Sequence, residues 1–153
     1  MTVPAFEPWM VQALLPEILL LVLALLVLLV DAIWHGRSHG WLGWFTAIGL
    51  VVTLVVGVFF SQPHPDQAMI FGGMLRDDWL AFTFRVLFLF SAAITALLST
   101  GVQGIRQKGE YYALLVIATL GMNLMAAASD LVMLYLAIET TSIPLYVLAG
   151  FLK

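Results

Sequence analysis

LVMLYLAIETTSIPLYVLAG, residues 131–150, is the stretch on which the reading of this chain turns. A helix needs about 20 predominantly apolar residues to cross a bilayer, and this run is long enough. It nevertheless carries a lone carboxyl group, Glu139, near its middle. An ionised side chain at that depth costs about 2.5–3.5 kcal/mol on insertion scales, so such acids mark proton and ion pathways by default. The alternative is that Glu139 only hydrogen-bonds a neighbouring helix. A carboxyl suits proton transfer because desolvation favours its neutral form until a positive charge or water approaches. Tyr135 at i−4 and Ser142 at i+3 share the helix face of Glu139. Pro144 removes the N–H that would bond the Thr140 carbonyl, which predicts a kink. Thr140, Thr141 and Ser142 supply hydroxyls to satisfy that oxygen or to hold water. An ordinary proline kink with hydroxyl repairs would look the same.

Composition agrees with a membrane setting. Of 153 residues, 63% are hydrophobic and 10% charged, and mean hydropathy is +1.06. A soluble domain carries about 25% charged residues, so a water-soluble globule is excluded. Net charge is −3 without a basic run, which argues against nucleic-acid binding. There is no cysteine, hence no disulfide, thiolate metal site or iron–sulfur ligand in the chain. His35 and His39 have metal-binding spacing for a helix but lie in a short Gly-rich loop, and His64 lies in another connection. No metal site is expected. The first apolar segment follows Glu7 with no Lys or Arg before it and exceeds a signal-peptide core, so it reads as a retained helix.

Five apolar segments are expected, at about 12–33, 41–60, 79–99, 111–128 and 131–150, filling one all-α membrane domain. In the first, Pro16 and Glu17 suit an opening helical turn, while Asp31 and Trp34 sit near its far end. The second opens on Trp41 and Trp44, with Gly43 and Ala47 as a small-residue pair. Residues 68–78 read as an amphipathic lead-in too short to span. Arg85 falls about 9 Å inside the third segment and is expected to snorkel back toward Asp77 or Asp78. Ser129-Asp130 is so short a connection that the last two segments must be antiparallel neighbours, with Asp130 as the N-cap. Counting from that turn, Thr119 lies at the depth of Glu139 and Asn123 about one turn shallower. Both are candidate supporting residues. Arg37, Arg106, Lys108 and Lys153 fall on one side of the membrane and Arg76 on the other, which predicts the N-terminus outside; the expected setting is a cell inner (plasma) membrane, crossed several times.

Gly109-Glu110-Tyr111-Tyr112-Ala113, Ser129-Asp130-Leu131, Glu139 and Ser142-Ile143-Pro144-Leu145-Tyr146 together carry a family resemblance. They resemble subunit N of the proton-pumping NADH–quinone oxidoreductase, respiratory complex I. Leu15-Pro16-Glu17-Ile18, Asp31, and an Asp before segment three with a basic residue inside it are similar too. The resemblance implies an antiporter-like helical bundle of which this chain would be the N-terminal third. It also implies proton translocation coupled to electron transfer from NADH to quinone, with Glu139 as the proton-transfer residue beside lysines on later helices. FMN, iron–sulfur clusters and quinone would sit on other subunits, and other membrane subunits of complex I would be the partners. A structural scaffold subunit and a sodium/proton antiporter component are the alternatives.

Overall fold

A computed structural model describes residues 8–33, 41–63, 69–102 and 108–151. Trp34, His35, Arg37, His39, His64, Arg106 and Lys153 lie outside the described residues. The elements run α1 (Pro8–Ala13), α2 (Leu15–Ile33), α3 (Leu42–Phe60), β1 (Met69–Ile70), β2 (Leu75–Arg76), α4 (Trp79–Ser99), α5 (Gly109–Ala127) and α6 (Leu131–Ala149). Helices α2 to α6 are each long and apolar enough to cross a membrane. The expected all-α membrane bundle is what the chain forms.

Local chemistry explains the boundaries. Pro16 occupies the first turn of α2, where its missing N–H costs no hydrogen bond. Asp78 caps α4 by accepting from Ala81 N at 2.8 Å. Asp130 holds the N-cap position of α6, but its side chain makes no capping hydrogen bond. The expected cap is therefore positional only.

Helix α5 is the hub, packing against α2, α4 and α6, while α3 packs against α4 and α2. The main core joins Leu20, Leu23 and Val27 of α2 to Leu50 of α3, Ala92, Ala93 and Ala96 of α4, and Tyr112 and Val116 of α5. Alanines on α4 let helix axes approach closely where bulkier residues would hold them apart. At the α5–α6 crossing Gly121 meets Thr141 directly: a Cβ on Gly121 would lie 2.7 Å from Thr141 N and nearer still to Thr141 Oγ1.

Residues 69–76 depart from the expected amphipathic lead-in. They form a two-stranded antiparallel hairpin, Met69 opposite Arg76 and Ile70 opposite Leu75. Its turn passes through positive φ at Phe71 (53°), Gly72 (68°) and Gly73 (92°). Two consecutive glycines make that path accessible, although Phe71 itself is strained there. The hairpin closes one end of the bundle. Ser129 N donates to Met74 O at 3.0 Å, and Ile70 and Leu75 join Met10, Ala13, Ala81 and Ala127 in a second apolar cluster.

Candidate functional site

Glu139 lies eight residues into α6, about 12 Å along a helix that must cross about 30 Å of hydrocarbon. Helix α6 turns Ala137, Thr141 and Pro144 inward, and these are its buried residues. Glu139 sits roughly 200° around the helix from Ala137 and so points away from α5. It is half-buried. Among the described residues it has no hydrogen-bond or ion-pair partner.

The structure brings Tyr135 and Ser142 to the same outward face as Glu139. Tyr135 is 60% exposed and Tyr146, one turn beyond Ser142 on that face, is 75% exposed. Thr140 lies on the flank of this face, half-buried. Thr140 Oγ1 donates to Leu136 O at 2.7 Å, Thr141 Oγ1 to Ala137 O at 2.9 Å and Ser142 Oγ to Ile138 O at 2.7 Å. Each hydroxyl thus serves the carbonyl four residues before it. None donates to the Thr140 carbonyl that Pro144 leaves free, so the expected hydroxyl repair is not made there.

Thr119 and Asn123 are placed elsewhere. Gly121 is the α5 residue against α6, and Thr119 and Asn123 lie roughly 160–200° around α5 from it. Both are fully buried and lie on the side of α5 away from its contact with α6, not beside Glu139. Thr119 Oγ1 donates to Leu115 O at 2.8 Å. Among the described residues Asn123 has no hydrogen-bond partner for either amide atom.

A second polar constellation was only half visible in the sequence. Arg85 does reach Asp77, with Nη1 3.5 Å from Oδ1, but it also meets Glu17, with Nε 2.9 Å from Oε1. The three side chains are 3%, 4% and 6% exposed. Arg85 is therefore a buried helix-to-helix ion pair and not a snorkelling residue, because Glu17 of α2 holds it inside. Asp78 pairs with Arg76 instead, at 2.9 Å on the surface. One signal could have revealed this pairing. Helices α2 and α4 start at the same end of the bundle, so an acid in the first turn of α2 and a long base between one and two turns into α4 reach a common depth.

Among the described residues no group of three His, Cys, Asp or Glu side chains could hold a metal ion. No family model matches the chain. It does align with curated relatives over nearly its whole length. One is NADH-quinone oxidoreductase subunit N of Desulfovibrio desulfuricans, 38% identical over 140 residues, covering 90% of this chain and 27% of the relative. Subunit N 1 of Solibacter usitatus is 36% identical over 152 residues, covering 98% of this chain and 31% of the relative. NAD(P)H-quinone oxidoreductase subunit 2 of Nostoc punctiforme is 37% identical over 143 residues, covering 91% and 26%. The chain spans about a third or less of the length of these relatives. Over some nine-tenths of its own length or more, this multi-pass membrane chain is thus similar to a part of NADH-quinone oxidoreductase subunit N.

Proposed function

We propose that the chain is part of a membrane subunit of an NADH–quinone oxidoreductase, and that Glu139 transfers protons in a path driven by electron flow from NADH to quinone. One observation carries this reading: a carboxyl group at mid-membrane depth, half-buried and without a partner among the described residues, on the outward face of α6. Leaving an acid there unmatched is costly, so the face is built to meet a further membrane segment. Relatives about three times longer supply the room for such segments.

In this arrangement Glu139 takes a proton when its surroundings are apolar and releases it when a cationic side chain or water comes near. Tyr135 and Ser142, on the same face, are placed to orient the carboxyl or pass the proton on. Thr140 flanks them. Thr119 and Asn123 belong to the interior of the bundle and act, if at all, away from this carboxyl. FMN, iron–sulfur clusters and quinone belong to partner subunits, and this chain contributes no electron-transfer group. The excess of Lys and Arg in the connections supports an orientation with the N-terminus outside, in a cell inner membrane of the kind that holds such a complex.

The test is Glu139→Gln in the complete subunit within its assembled complex. The substitution keeps shape and removes the titrating group. Assembly on native gels should be intact while coupled NADH–quinone turnover falls, and Glu139→Asp should keep part of the activity. Normal turnover in a normally assembled Glu139→Gln complex would favour a scaffold role instead.

A further inference from the structure

Helix α5 carries an amide deep in the bundle that the path through Glu139 does not use. Asn123 is fully buried, and among the described residues neither its Nδ2 nor its Oδ1 has a hydrogen-bond partner. A buried amide left unmade at both ends is costlier than an apolar side chain of the same shape, so its place in the core calls for a partner inside the bundle.

Helix register sets what lies at its level. Leu120 and Leu124, which flank Asn123 along α5, share a groove wall with Glu17 of α2. Ala127 of α5 and Ala81 of α4 belong to one apolar cluster with the hairpin residues Ile70 and Leu75. Helix α4 starts beside the hairpin and α5 ends there, where Ala128 bridges Leu75. Asn123 and Arg85 therefore each lie about one turn further into the bundle from that cluster. Glu17 and Arg85 are in contact, with Nε 2.9 Å from Oε1. Three helices thus bring a carboxyl, a guanidinium and an amide to one depth.

The layer is complementary but unfinished. Among the described residues Glu17 Oε2 and Asn123 Oδ1 are buried acceptors without a donor, and Arg85 Nη2 and Asn123 Nδ2 are buried donors without an acceptor. A small molecule that both donates and accepts meets both halves. An added cation would be repelled by Arg85 and an added anion by Glu17, which leaves a neutral molecule. A buried water fits this description, since it typically makes about three hydrogen bonds to groups otherwise unsatisfied. Space exists beside the layer: a cavity of about 10 Å³ touches Arg85, Pro16 and Ser61, about what one water needs.

We propose that the Glu17–Arg85–Asn123 layer binds a buried water, which bridges the Asn123 amide to the ion pair and so ties α5 to α2 and α4. The site rests on these unmade donors and acceptors and on helix register, and not on the role proposed for Glu139.

A density map of the complete subunit in its assembled complex, at a resolution that shows ordered waters, tests it. A water peak should lie within hydrogen-bond distance of the Asn123 amide and of Arg85 or Glu17. The amide touching the ion pair directly, another side chain in that place, or no density there would overturn the proposal. In Asn123→Leu, which keeps the size and removes the amide, the peak should vanish while the Glu17–Arg85 contact stays. A peak that persists in this variant would contradict the role of Asn123. If the variant does not assemble, the wild-type map decides by itself.

Discussion

Replacing Arg85 by Met should destabilise the bundle more than any other single change at its hairpin end. Methionine matches the length of the stem but removes the guanidinium, leaving Asp77 and Glu17 buried at 4% and 6% exposure. At an effective dielectric of about 20, a unit-charge pair near 3 Å is worth roughly 5 kcal/mol before desolvation is counted. Desolvation consumes part of that gain while the pair is intact. Once the base is gone its ion pairing is lost to both acids, and removing one partner of a buried pair costs about 3–5 kcal/mol. Every 1.4 kcal/mol is about tenfold in an equilibrium constant, so the folded-to-unfolded ratio should fall by about two to three and a half orders of magnitude. Unfolding of the full chain in mixed micelles, followed by helical circular dichroism during denaturing-detergent titration, measures the change. The double variant Arg85→Met, Asp77→Asn also removes the Asp77 charge, leaving Glu17 as the one acid of the cluster, and should recover part of the loss. A loss below about 1 kcal/mol for Arg85→Met would show that the pair is solvated, and the account of a buried cluster would fail.

Two further outcomes are expected. Gly121→Val should separate α5 from α6, because the new side chain meets Thr141 backbone as well as its hydroxyl; overpacking of this kind costs about 1–3 kcal/mol, read in the same unfolding assay, and an unchanged midpoint would refute the contact. Reporter fusions after residues 38, 66 and 106 should read inside, outside and inside if the Lys and Arg bias sets the orientation, and the opposite pattern would reverse it.

The helices were legible because apolar runs near membrane length alternate with Gly, Pro and charged breaks, a signal that needs no tertiary information. Observed ends such as Trp79–Ser99 and Leu131–Ala149 fall at or within one residue of the expected limits. The hairpin was not legible: its strands have two residues each, and its turn uses a positive φ at Phe71 that no propensity anticipates. Glu139 stood out as a charge in an apolar run, but its direction did not, because α6 is apolar all round and shows no preferred face. The orientation emerged from Gly121 against Thr141, a contact between helices. Glu17 was read as a residue suited to an opening helical turn and not as an ion-pair partner, because Arg85 lies 68 residues away, on α4. The depth-matching of opposite charges on co-starting helices is the pattern that would have paired them.

The proton-carrying role of Glu139 is tested most directly by the number of protons moved per NADH oxidised. The complete complex, reconstituted in sealed vesicles, should translocate fewer protons per NADH with Glu139→Gln than with the wild type, at equal complex content. An unchanged ratio at wild-type turnover would contradict the account.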